Sequence, residues 1–392
     1  VTNNSETNRP HATRPPAAVA LAAFTSSVDR FGISPLLVII ATDFGVPLST
    51  AVALASIYYL TYGLSQPVWG ILSDRFGRLR IMQIALAGAL IFGSASALAA
   101  NLTILTVLRG LTGAFFGAII PASITFVGDT STEHNRQSVM SDLMAAVAVG
   151  TALATAAAGI LGEAFNWRIV FGLSAILALI CLIPLFRLNE PSGANTISIF
   201  AALSLFVKQK WALLVVGLAF VEGALVLGLL TLLAPALEFQ GVATSWAGLS
   251  VGAYGVATLA FSRLVRPLRV HLSAPRILGI GGAFLTIGLG LVAAYLSVAT
   301  VVLAAVLFGG AWALMHTSLQ AWATQVIPQA RGLVVAFFAG SLFAGSSASS
   351  ALAGTLAEAG RWTLIFGIAA PVAFGLTATA VVALSRYQSL PR

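Results

Sequence analysis

Twelve stretches of this chain are each apolar enough, over roughly 20 residues, to cross the hydrocarbon of a bilayer, and that leaves few folds open. They lie near 17–41, 49–72, 79–99, 102–127, 137–161 and 167–186, then 211–236, 244–264, 276–296, 299–323, 332–356 and 362–384. In lipid, backbone amides find no water, so spans of this length and apolarity must be helices that satisfy their own hydrogen bonds. The expected fold class is an all-α membrane protein with twelve transmembrane helices. Composition agrees: 58% hydrophobic and 8% charged residues, with a mean hydropathy of +0.97, exclude an ordinary soluble domain.

The chain is also doubled. Arg136, Gly150, Gly159, Glu163, Trp167, Phe171 and Gly172 reappear 195 residues later as Arg331, Gly345, Gly354, Glu358, Trp362, Phe366 and Gly367. Tyr62-Gly63 and Leu72 recur at a spacing of 192 as Tyr254-Gly255 and Leu264. The repeat divides the chain into six-helix bundles at 17–187 and 211–386, a linker at 188–210 and tails at 1–16 and 387–392. Two like-oriented membrane halves of this kind suggest a transporter with its site between them. Within the linker, 197–207 reads as a short interfacial helix. Trp167 and Trp362, each with a Glu four residues before it, read as anchors of matching helix ends at the membrane interface.

Charge placement predicts the orientation. Of the twenty Lys and Arg, Arg30 and Arg109 fall inside spans, Arg168 and Arg361 at one set of helix ends, and the remaining sixteen on the side of both termini. The positive-inside rule puts that side, and both termini, in the cytoplasm. The net charge of +8 belongs to these loops and does not point to nucleic acid. Cys181 is the only cysteine and offers no disulfide framework. The polar, Pro-rich start lacks the apolar core of a cleavable signal and reads as a disordered tail.

The most specific local signal is Gly70-Ile71-Leu72-Ser73-Asp74-Arg75-Phe76-Gly77-Arg78, which joins the second and third spans by a very short basic turn. Gly77 permits a sharp turn, Gly70 a close helix approach, and Asp74 suits the positive end of a helix dipole. The run resembles the signature loop of the major facilitator superfamily, at the family's spacing, and twelve helices in two sixes extend the likeness over the chain. The resemblance implies a conformational latch built from Gly70, Asp74, Arg75, Gly77, Arg78 and Asp129. Asp74 would meet the eleventh helix near Arg331 to Leu333, and Arg75 or Arg78 would pair with Asp129. The second half carries a degraded copy, Ser262 to Leu268, with Arg266 at the Asp position.

A charge at the bilayer centre costs about 2.5–3.5 kcal/mol on insertion scales, so each one inside a span is a functional hypothesis. Counting 1.5 Å per residue puts Asp29 in helix one and Arg109 in helix four at nearly one depth, able to pair. Glu222, 193 residues after Asp29, takes the equivalent place in helix seven. Asp29, Arg109 and Glu222 are therefore the candidate proton-coupling residues, with a static ion pair as the other reading of Asp29 and Arg109. Desolvation favours a protonated carboxyl and a nearby Arg opposes it, so protonation can follow conformation. Arg30, about 100° round the helix from Asp29, is expected to partner another acid. Arg109-Gly110-Leu111-Thr112-Gly113 also resembles a fourth-helix motif that the family links to proton coupling, with Thr112 where Gln is usual.

Candidate cavity residues are Tyr59, Tyr62 and Gln66 on one face of helix two, Asp142 in helix five, and Trp312, His316 and Gln320 on one face of helix ten. Packing is the alternative reading of both aromatic stripes. No second His or Cys stands at metal-binding spacing, no cofactor is implied, and no nucleophile-base pair marks an enzyme. The first helix, Asp29 with Ile33-Ser34-Pro35-Leu36-Leu37 and Asp43-Phe44-Gly45, resembles the bacterial drug and sugar efflux branch of proton antiporters. One place departs from it: Ala154-Thr155 stands where those antiporters carry Gly-Pro in helix five. The resulting expectation is a proton-coupled, alternating-access exporter of lipophilic or cationic small molecules, monomeric, in a bacterial-type plasma membrane. Its partners would be substrate, protons and membrane lipid, with no nucleic acid. A sugar or metabolite carrier, and a receptor that binds without translocating, are the alternatives.

Overall fold

The computed structural model describes residues 14–190 and 199–389. The first thirteen residues of the expected tail, linker residues 191–198 and residues 390–392 lie outside the described residues. Among the described residues all regular structure is helical, and eleven helices are long and apolar enough to cross a membrane. We label the spans α1 (Ala17–Phe44), α2 (Leu48–Phe76), α3 (Arg78–Ala97), α4 (Leu102–Thr130), α5 (Glu133–Ala164) and α6 (Trp167–Leu185). The second half has α7 (Lys210–Phe239), α8 (Thr244–His271), α9 (Ala274–Ala294), α10 (Val298–Val326), α11 (Arg331–Glu358) and α12 (Trp362–Gln388). The span beyond the eleven is α2, as long as its neighbours but carrying Gln66, Asp74 and Arg75. The linker holds a short helix, Ile199–Lys208, and α12 runs two residues into the stretch expected as tail.

Proline sets several local departures from the α-helix by withholding an N–H and crowding the preceding turn. Around Pro35, α1 passes through a 3-10 turn, Ser34–Leu36. α4 breaks at Gly117-Ala118, four residues ahead of Pro121. α7 and α10 instead each hold a five-residue π turn, Ala224–Gly228 and Trp312–His316. α5, which lacks the Pro of the antiporters it resembles, runs unbroken from Glu133 to Ala164.

The two halves meet along two helix pairs, α2 with α11 and α5 with α8. Small residues set how close they come: a Cβ on Gly248 would lie 2.3 Å from the Thr155 carbonyl oxygen, and one on Gly255 2.3 Å from the Ala152 nitrogen. Nearer the face that carries the basic loops, here the basic face, the seam parts. Gly70 of α2 and Gly332 of α11 have nothing within 4 Å of where a Cβ would stand, and Ser141, Asp142, Ser262 and Arg263 are exposed. The molecule is thus closed at its far face and open at its basic face.

The tryptophans expected as interfacial anchors are instead buried, Trp167 completely and Trp362 nearly so. Trp167 Nε1 donates to Asp43 at 2.9 Å, and Arg168 pairs with the same carboxylate at 2.8 Å. These groups tie the far end of α1 to the start of α6, because a buried indole N–H needs an acceptor and finds it there.

Candidate functional site

Asp29 and Arg30 are neighbours on α1, and the helix's turn of 100° per residue sends them into different surroundings. Asp29 points into the first half, where Arg109 of α4 grips it with Nη2 to Oδ2 at 2.8 Å and Nη1 to Oδ1 at 3.0 Å. Both side chains are fully buried. The guanidinium is roofed by Phe171 at 4.4 Å and Tyr58 at 4.8 Å from the ring centroids. A fork-to-fork pair of this kind offsets the desolvation of both ions.

Arg30 faces the seam. Its Nη1 donates to the Tyr62 hydroxyl at 3.3 Å, and it forms none of the ion pairs among the described residues, so the expected acid partner is absent. Phe343 of α11 and Tyr62 pack at 4.6 Å, and Phe31 meets Tyr254 of α8 at 5.9 Å, so both halves wall this point. Tyr59 is held nearby by a 3.1 Å hydrogen bond to Thr231 of α7.

In the second half Glu222 stands one residue before the end of the α-helical part of α7, which its π turn follows, and His316 closes the π turn of α10. The two meet at 3.2 Å, Glu222 Oε2 to His316 Nδ1, and Glu222 Oε1 has no hydrogen-bond partner among the described residues. A π turn shifts the register of the side chains that follow it, and such turns gather at functional sites. Trp312 stacks on the imidazole at 3.7 Å, so the proposed cavity stripe of α10 is partly a packing stack. Gln320 is half-buried, Gln66 buried, and Asp142 lies exposed near the basic face.

The signature loop is assembled within one half. Gly77 turns the chain with φ +103°, Arg78 pairs with Asp129 at 3.1 Å and with Asp74 at 2.9 Å, and Arg75 is exposed. The expected contact of Asp74 with Arg331 to Leu333 is not made, and Gly70 has no helix against it, because the seam is parted at this face. Sequence reasoning missed Glu190 here. Its carboxylate accepts the backbone N–H of Leu79 at 2.9 Å and of Arg78 at 2.5 Å, capping the positive end of α3.

It also missed two clasps at the far face. Glu163 at the end of α5 accepts the backbone N–H of Ser245 at 2.7 Å, and Glu358 at the end of α11 accepts the Ser49 hydroxyl. Ser245 and Ser49 stand second in α8 and α2 and are 196 residues apart, as the two glutamates are 195 apart. The repeat therefore sets an equivalent glutamate against an equivalent serine twice, through the backbone N–H in one case and the hydroxyl in the other, each reaching from one half to the other. A third bond follows from Pro235, which cannot donate to the Thr231 carbonyl; Ser34 of the other half fills that acceptor at 2.8 Å.

The family model described as Major Facilitator Superfamily matches residues 19–330. The chain belongs to the major facilitator superfamily. A triacylglyceride transporter of Mycolicibacterium smegmatis is 28% identical to this facilitator over 192 residues, 46% of this chain and 34% of that one. The multidrug efflux pump LfrA of the same organism is 26% identical over 203 residues, 50% of this chain and 40% of that one. The matched stretch is thus about a third to two fifths of each relative's length. A crystal structure of a peptide transporter POT in complex with sulfate shares the fold, with a TM-score of 0.75 at 17% identity over 93% of this chain and 94% of that one. This facilitator is a multi-pass membrane protein of the all-α major facilitator fold, in a family of transporters rather than enzymes.

Proposed function

We propose that this facilitator is a proton-coupled secondary transporter working by alternating access, exporting lipophilic small molecules from a bacterial-type cell. The observation that carries the reading is the seam, clasped at the far face by Glu163 and Glu358 and parted at the basic face beside Gly70 and Gly332. In this reading the basic face and both termini are cytoplasmic, the halves are 17–187 and 211–386, and the monomer is the working unit. Closing the basic face would bring Asp74 to the start of α11 and release the clasps. Names of relatives that refer to triacylglyceride and to multidrug efflux favour apolar cargo.

Coupling follows from the carboxyl groups. Glu222 shares a single contact with His316, so one proton can sit on either partner, and its free oxygen is open to a second donor. Asp29 can take a proton only as Arg109 lets go, which ties its protonation to movement of α1 against α4. The expectation of a cationic cargo loses its ground, since both carboxylates already have partners within their own half. Reconstitution into liposomes with an imposed pH gradient tests the reading. Dye flux driven by the gradient is expected for the native chain and lost in Asp29→Asn and Glu222→Gln. Gradient-driven flux that survives both substitutions removes these residues from coupling.

A further inference from the structure

Arg30 is the charge that the coupling scheme leaves over. It is only 8% exposed, and among the described residues its Nε has no hydrogen-bond partner and its single hydrogen bond goes to a neutral hydroxyl, that of Tyr62. Its guanidinium instead lies 4.7 Å from the Phe31 ring centroid, 5.2 Å from Tyr62 and 5.4 Å from Phe343. Faces of aromatic rings attract a cation, but more weakly than a counter-charge would in a site stripped of water. An uncompensated buried charge is costly, and one inside a membrane span is a functional-site hypothesis by default.

The surroundings say what would complete it. The carboxylate beside it in sequence turns away to Arg109, and Glu222 is hydrogen-bonded to His316. A guanidinium offers five N–H donors in a planar fork, matched to two oxygens of one oxyanion. Around that fork stand Phe31 and Tyr62 from one half and Phe343 and Tyr254 from the other, apolar surface for the body of a ligand. The site lies within the closed part of the seam, beside Gly63, whose Cβ would stand 2.7 Å from Phe343 Cβ, so a ligand reaches it as α2 and α11 separate. A molecule held there touches both halves at the level about which they must rock.

We propose that Arg30 anchors the anionic group of the cargo, so that the substrate class is a lipophilic molecule carrying a carboxylate or similar oxyanion, its body laid against these aromatic rings. The proposal rests on the transport reading of the seam and reverses the charge preference expected from the sequence. A cation at this point would meet Arg30 head-on.

The test is equilibrium binding to the protein in lipid nanodiscs, with empty nanodiscs subtracted, using three probes of one shape: 2-naphthoate, neutral 2-naphthamide and 2-naphthylmethylammonium. The native protein is expected to bind naphthoate at least tenfold tighter than the amide, and the ammonium weakest. Arg30→Gln is expected to remove the preference for naphthoate while keeping affinity for the amide, which shows that the aromatic site is still folded. Arg30→Lys, which keeps the charge without the fork, is expected to fall between. A native preference for the ammonium, or a naphthoate preference that survives Arg30→Gln, overturns the proposal. If Arg30→Gln does not fold, the native order of the three probes and the drop in Arg30→Lys decide it. Arg30-dependent binding without flux in liposomes would sink the transport reading and leave the anion site standing, whereas flux of the ammonium probe untouched by Arg30→Lys would do the reverse.

Discussion

Asp29 and Arg109 neutralise one another with both side chains fully buried, so removing either member strands the other as a bare charge. Asp29→Asn is expected to destabilise the protein by about 3–5 kcal/mol, read as an earlier thermal transition in detergent. Asp29→Asn combined with Arg109→Gln should recover much of that loss and still fail to couple flux to a proton gradient. Glu222→Gln differs, because an amide can still hydrogen-bond His316. Its stability should change by no more than about 1 kcal/mol, while the response of flux to the pH gradient disappears. Depth counting along the sequence put Asp29 level with Arg109, and the two do pair. It could not see that His316 would be the partner of Glu222, nor that Arg30 would find no acid among the described residues, since those depend on how neighbouring helices are rotated about their axes.

Glycine marks where helices must touch and where they stand apart. Gly345 of α11 faces the Phe220 carbonyl oxygen of α7, and a Cβ there would stand 1.8 Å from it. Backbone cannot yield by that much, so Gly345→Val is expected to abolish the monodisperse peak in gel filtration. Gly70 and Gly332 face open space, so Gly70→Leu should leave thermal stability within about 0.5 kcal/mol of native yet stop transport, because the bulk fills the room α11 needs when the basic face closes. A stable but inactive variant would separate a latch from a simple basic turn. The helices themselves were legible as apolar runs of bilayer length, and the unbroken α5 as a span without Pro. The π turns of α7 and α10 were not, because a π turn leaves the count of apolar residues unchanged and is chosen by the packing around it.

At the scale of the molecule, the far face is held by two carboxylates on two helix N-termini, related by the repeat. Glu163→Gln with Glu358→Gln is expected to shift the population towards the far-open state, read by spin-label distances as a longer separation between the far ends of α2 and α11 and of α5 and α8. An unchanged distance distribution would assign the clasps to packing alone. The residues of that device were visible in the sequence as repeated positions, but the repeat said only that Glu163 and Glu358 are equivalent, and each was read as an anchor within its own half. The sequence by itself determined that the chain is helical, membrane-spanning and doubled, because lipid solvation and gene-scale repetition are written in every span and need no neighbour to be read. The tertiary structure alone decided which face is shut, which charges are paired and which one is left facing the seam. Those are properties of two halves in contact, set by helix rotation and by a few ångströms of approach at glycine, and no single segment carries them.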